Sequence, residues 1–272
     1  MKFALLKPPF SKSFAPSSTS NPFRPDEPML IVNADDWGRS VEETDVALDF
    51  FRIGRVTSVT AMMFMKDSER AAELSRREKV PTGLHLNFSE AFTGPVRDER
   101  LFQLQKRIVR FLNSAGFAQL IYNPLLGNAF RAVYDAQLQE FRRLYGSEPS
   151  HFDGHQHMHL CANMLVALPI PQQRKVRRSF SFGPGEKSAL NRGFRSWVAS
   201  RLRRHYKVTE YFFALSQQLS EGRFEKACEL GKSSDVEMMT HPIVPSERTF
   251  LGSDRCGAAL QGVRKGSYLD LV

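Results

Sequence analysis

Apolar runs of strand length recur along this chain, each closed by a polar cluster and followed by a stretch of helical periodicity. The first is MLIVNADDWG, where Met29 to Val32 are apolar and Asn33, Asp35, Asp36 and Gly38 supply turn chemistry. SVEETDVALDFFRIG then has helical spacing, with Ser40 and Glu43 placed as a capping box and Gly54 as a stop. VTSVTAMMF reads as a β-branched strand, SERAAELSRRE as a helix and TGLHLNF as a short strand. Residues 99–146 are mostly helical, broken near Asn123–Gly127, and Phe130, Tyr134, Leu138, Phe141 and Tyr145 fall on one stripe. HFDGHQHMHL reads as a strand. A basic segment follows, then a helix around Glu225–Leu230, the strand DVEMMTHP and two short closing elements ending in GSYLDLV. Strands alternating with helices predict an α/β fold with a parallel sheet. Over about 240 residues the pattern predicts a TIM-like (β/α) barrel, with its chemistry at the C-terminal ends of the strands.

The 272 residues, 42% hydrophobic and 25% charged, suffice for one such core. No apolar run reaches the roughly 18 residues of a membrane span. The most apolar stretch, FAQLIYNPLLGNAF, is interrupted by Asn123, Pro124, Gly127 and Asn128. Cys161, Cys228 and Cys256 form no C-x-x-C pair and are odd in number, which fits a reducing compartment and a cytoplasmic location. Residues 1–28, rich in Ser, Pro and Lys, are expected to be a disordered leader ahead of one domain spanning 29–272. The net charge of +9 is concentrated between Gln172 and Lys207, which hold eleven basic residues and one acid, Glu186. An electrostatic partner would therefore meet this segment.

Five residues capable of ligating metal or carrying protons alternate in HFDGHQHMHL: His151, Asp153, His155, His157 and His159. On a strand they would line one face. Other polar clusters lie at strand ends: Asp35 and Asp36 in NADD, His85 in GLHL and His241 in MTHP. Taken singly, the aspartates could cap a helix and His85 could sit in the core. Together, at the mouth of one barrel, two imidazoles and a carboxylate with an open position form a hydrolytic metal site. The same donor set also suits an Fe(II) oxygenase. From a different class, the chain could be a basic membrane- or nucleic-acid-binding protein with structural histidines.

LIVNADDWGRS, GRVTSVTAMM, TGLHLNFSEAFTGPV, HFDGHQHMH, MMTHP and the GSYLDL ending resemble, in order and spacing, the YdjC-like carbohydrate deacetylases. The resemblance covers residues 29–272. It implies a distorted (β/α) barrel of the polysaccharide deacetylase type. The implied activity is metal-dependent removal of acetyl groups from N-acetylated sugars such as chitooligosaccharides. Carried over, Asp36, His85 and His155 would hold one divalent ion, Mg2+ or Zn2+. Asp35 would be the general base and His241 the general acid.

Trp37 stands where that family usually has Phe and is expected at a sugar-stacking surface. Asp153 is expected to orient His155 or touch substrate, and His157 to line the sugar site or, with His155, form a rival ligand pair. Arg177 is expected at the substrate. Both Asp35 and Asp36 can face one site only if the strand ends there. SALNRGFRSWVASRLRRHY reads as a helix with Leu190, Phe194, Trp197, Val198 and Leu202 on a core-facing side. Its arginines make residues 188–205 a candidate for an anionic membrane surface. No interleaving of aromatic and basic residues typical of a nucleic-acid module occurs, so no nucleic acid is expected. A homodimer is compatible with the sequence.

Overall fold

The computed structural model describes residues 27–182 and 188–272. Most of the expected leader, residues 1–26, lies outside the described residues. Eight residues form β1 (Leu30–Trp37), all buried, as a central strand with helices on one face and the barrel interior on the other requires. Helix α1 (Val41–Arg52) opens with Ser40 as the expected N-cap, but the Glu43 carboxylate takes the Ser40 hydroxyl and does not complete the capping box. Ser40 Oγ accepts from the Glu43 backbone N–H and donates to its carboxylate at 2.8 Å. The chain continues through β2 (Ser58–Ala61), α2 (Ser68–Glu78), β3 (Thr82–Leu86), α3 (Glu99–Leu112) and α4 (Gly127–Tyr145). All five residues of the predicted aromatic and aliphatic stripe on α4 are buried.

Next come β4 (Phe152–Gly154), α5 (Ala162–Ala167), α6 (Ala189–His205), β5 (Tyr211–Ala214), α7 (Arg223–Leu230) and β6 (Val236–Thr240). Helices α8 (Pro245–Leu251) and α9 (Asp254–Gln261) and strand β7 (Lys265–Gly266) complete the fold. The sheet runs β4-β3-β2-β1-β6-β5, with β7 pairing on β1. Every pairing is parallel. This is the expected barrel, distorted at one place. Between β4 and β5 the closing strand is replaced by an irregular segment. Phe152 N–H donates to Lys175 O and Arg177 N–H to Phe152 O, while Ser181 N–H donates to Phe212 O. One large hydrophobic cluster fills the space between the sheet and its helices. No helix among the described residues is long and apolar enough to cross a membrane.

HFDGHQHMHL departs from the expected strand. Only Phe152–Gly154 are extended, and residues 155–160 wind into 3-10 turns, with Gln156 and His157 at φ 51° and 60°. The five alternating groups therefore do not share a strand face. Helix α6 also differs from its sequence pattern. Val198 and Leu202 are buried, whereas Phe194 and Trp197 are exposed and stack on each other with centroids 6.0 Å apart.

Candidate metal centre

The first donor, Asp36, depends on a backbone irregularity. The register between β1 and β2 shifts between Ala34 and Trp37, and Asp36 has φ 64°. Such a bulge turns a side chain that strict alternation would aim at the opposite face. Asp is among the residues that tolerate this left-handed conformation. Asp35 and Asp36 thus face one site within a continuous strand, where a strand end was expected.

Two imidazoles meet Asp36. His85 lies on β3 directly beside Asp153 of β4 in the sheet register. Its Nε2 is 3.2 Å from Asp36 Oδ1. Its Nδ1 is 2.8 Å from Asp153 Oδ1. His155 follows β4, and its Nδ1 lies 2.9 Å from the same Asp36 oxygen. Its Nε2 is 3.1 Å from Glu90 Oε2. Gly154 makes room for this turn, because a Cβ there would stand 2.9 Å from the His159 backbone nitrogen. One donor atom from each of Asp36, His85 and His155 lies within 4.8 Å of the others, and all three residues are buried.

The chemistry of this donor set fits a divalent ion. Each imidazole has its outer nitrogen held by a carboxylate, Asp153 for His85 and Glu90 for His155. That pattern fixes the tautomer and leaves the inner nitrogen free to ligate. Without an ion those inner nitrogens carry protons. Burial would lower His85, but Asp153 and Asp35 outweigh it and hold it up at about 10. Burial likewise opposes His155, while its bonds to Asp36 and Glu90 raise it. Burial would raise Asp36, yet the hydrogen bonds from His155 and His85 hold it well below the usual carboxylate range. A bound cation would replace those protons.

Behind the donors sits Arg177, fully buried. Its guanidinium contacts Asp35 through two 2.7 Å bonds, Asp153 Oδ2 at 2.7 Å and Glu237 Oε1 at 2.7 Å. A buried cation requires such compensation. Burial would raise Asp35, but Arg177 outweighs it and keeps the carboxyl ionised. Asp35 also accepts from Asn33 Nδ2 at 3.0 Å and Thr60 Oγ1 at 3.2 Å. Asp35, His85 and Asp153 form a second group of clustered donors. Arg177 already neutralises both of its carboxylates, so the first group is the better cation site. His241, just past β6, has its Nε2 3.8 Å from Asp36 Oδ2 and is 31% exposed. Its backbone N–H donates to Glu247 at 2.8 Å.

Four expectations need correcting. Trp37 has no exposed surface and donates its indole N–H to Ala71 O, so it plugs the space against α2 and offers no face to a sugar. Arg177 is equally sealed and holds carboxylates, so it does not reach substrate. Asp153 is fully buried and orients His85 rather than His155. The rival ligand pair is the part of the His157 reading to correct, since His157 belongs to neither donor group among the described residues. Its ring is half-buried, which is compatible with lining the sugar site. It packs edge-on against Phe180 at 4.6 Å and Phe212 at 5.8 Å. Burial, with Arg177 nearby, brings it down to about 3, which suits a neutral packing ring.

Several residues that position the centre escaped sequence reasoning. Glu90 is held by three bonds from Arg39, at 2.9, 3.1 and 3.2 Å, and by its own N–H on Asn87 Oδ1. Two buried glutamines pin that loop: Gln137 of α4 accepts from Asn87 N–H, and Gln105 of α3 donates to Glu90 O. Glu237 is bonded by Tyr268, whose ring stacks on His151 at 3.8 Å. A polar residue recurring on the apolar stripes of α3 and α4 was the one signal available for the glutamines.

Fold and centre together define a parallel-sheet barrel protein with a buried Asp–His–His cluster at its strand ends. The family model described as "YdjC-like protein" matches residues 29–264. The chain belongs to the YdjC-like family. It is 32% identical to a mouse (Mus musculus) carbohydrate deacetylase over 244 residues, covering 80% of this chain and 78% of that one. It is 30% identical to a Yersinia pestis chitooligosaccharide deacetylase over 273 residues, covering 90% and 99%. A solved structure from Enterococcus faecalis, named for cellobiose-phosphate cleavage, shares the fold with a TM-score of 0.63 at 17% identity, covering 90% of this chain and 99% of that one.

Proposed function

We propose that the protein is a metal-dependent deacetylase of N-acetylated sugars or oligosaccharides. The observation that carries this reading is the shared Asp36 carboxylate facing two imidazoles, each backed by its own carboxylate. The names of the relatives supply the substrate class. Asp36, His85 and His155 would hold one divalent ion, and two imidazoles favour Zn2+ over Mg2+. That ion would supply a Lewis acid for the acetamide oxygen and lower the pKa of the attacking water.

The chain's own residues do the rest. Asp35, kept ionised by Arg177, accepts the proton of the attacking water. His241, across Asp36 and partly exposed, donates a proton to the departing amine and exchanges it with solvent. Glu90 and Asp153 hold the ligand rings in place. The C–N bond of the acetamide breaks, and acetate and the free amino sugar leave. The three cysteines, buried and unpaired, suit a reducing, cytoplasmic compartment.

The test is acetate release from a panel of N-acetylated oligosaccharides by protein reconstituted with Zn2+ or Mg2+. Release that chelation abolishes supports the reading. Oxygen consumption without acetate would instead favour an oxygenase.

A further inference from the structure

The surface beside the centre carries an unusual number of exposed apolar side chains. Phe117, Leu120, Ile121, Tyr122 and Leu125 are between 46% and 83% exposed. Five large apolar groups in nine residues exceed the scattered exposure usual on a soluble surface. Their loop is bonded to α5, because Asn163 both accepts from Asn123 N–H and donates to Asn123 O. On its other side α5 is bonded to α6, where the Arg201 guanidinium donates twice to Leu165 O. Val166, the residue after Leu165, is itself 55% exposed. On α6, Phe194, Trp197, Arg201 and Arg204 are spaced three, four and three residues apart and share one stripe. Phe194 and Trp197 are exposed. The apolar loop, α5 and the aromatic stripe therefore border one another.

The charge of this region has one sign. Residues 113–134 contain no acid, and residues 154–209 contain only Glu186. Arg203 and Arg204 are exposed at the end of α6. A symmetric pairing of two copies through this face would bring like charges together. An apolar patch edged by arginines instead complements an anionic lipid surface, which takes up the apolar groups while its headgroups meet the cations.

The patch also neighbours the turn that follows His155. Gly116 and Gln119 line a hollow of about 260 Å³ together with Gln156 and Met158. Gln156 is exposed and follows the candidate ligand His155 directly. On the α6 side, Arg195 lies over Phe180, the ring against which His157 packs.

We infer that residues 117–125, α5 and the Phe194–Arg204 stripe dock on an anionic membrane surface and bring the centre to acetylated sugars displayed there. The inference rests on the deacetylase reading only for that consequence; the docking itself does not need it. The experiment is co-sedimentation of the full chain with vesicles of phosphatidylcholine alone, or phosphatidylcholine mixed with phosphatidylglycerol, at low and moderate salt. The protein should pellet with the anionic vesicles, and less so as salt rises. Arg204→Gln, which removes the cation at the end of that stripe, should weaken binding by roughly fivefold. Leu120→Asp with Leu125→Asp should also release the protein, by about tenfold or more. Both variants alter exposed side chains, and both should keep the wild-type rate of acetate release from a soluble oligosaccharide. Equal binding to neutral vesicles, or none to either kind, would overturn the inference. So would a self-association in sedimentation velocity that Leu120→Asp with Leu125→Asp abolishes, because the patch would then belong to a second copy. If no sugar yields acetate while vesicle binding follows this pattern, the deacetylase reading fails and the docking surface stands.

Discussion

Glu90 and Asp153 each hold the outer nitrogen of an imidazole whose inner nitrogen faces Asp36. Removing such a partner typically lowers metal affinity by about 10- to 100-fold. Glu90→Gln should therefore weaken Zn2+ binding within that range in a chelator competition, and wild-type affinity would deny Glu90 this part. Asp35→Asn should keep the metal but lower turnover by about 10²- to 10⁴-fold, and His241→Ala should do likewise. Full acetate release by either variant would remove that residue from the proton transfers. The gathering of Asp35, Asp36, His85, His155 and His241 was legible from their places at strand ends. The alternation in HFDGHQHMHL misled, because His151 and His157 pack against aromatic rings. Arg177 was not legible either. Nothing in a run of eleven basic residues marks the one that turns inward, since its burial is set by three carboxylates arriving from separate strands.

Most strands and helices were legible as well, because apolar runs and helical periodicities are local signals. The departures arise where tertiary geometry sets the backbone. Asp36, Gln156 and His157 adopt positive φ to aim the donors, and no propensity announces that. Helices α8 and α9, seven and eight residues long, are too short to show a clear period. The turn after β4 is the most sensitive element. A methyl at Gly154 would meet the His159 backbone nitrogen at 2.9 Å and Leu86 O at 3.1 Å. Gly154→Ala should thus cost about 1–3 kcal/mol of stability, as overpacking does. It should also weaken metal binding, because His155 is the next residue. Denaturant unfolding with and without Zn2+ checks both effects, and an unchanged midpoint in each would show that the turn adjusts freely.

The whole barrel closes over histidines that stay neutral. Burial holds His151, His157 and His159 below the ordinary value of 6.5, with His157 at about 3. As pH falls below about 6.5 the unfolded chain gains protons at these positions while the folded chain does not, so unfolding becomes easier. Their contribution is present above pH 6.5 and lost progressively toward pH 3. The melting temperature should fall across that interval. His151→Phe should flatten the fall, because the His151 ring stacks on Tyr268 and its Nε2 has no partner among the described residues. A melting temperature independent of pH over this range would contradict the neutral assignment. The overall architecture was legible from the alternation of strands and helices. Its irregular closure through residues 175–181 was not, because that segment pairs by single bonds without a strand's periodicity. The central claim is that Asp36, His85 and His155 hold the ion on which deacetylation depends. Its most direct test is acetate release by metal-stripped protein during titration with Zn2+ or Mg2+. Turnover should rise from near zero and saturate at about one ion per chain, the stoichiometry of a single catalytic site, and Asp36→Ala should not respond. Full turnover after stripping, or an Asp36→Ala titration that matches the wild type, would contradict it.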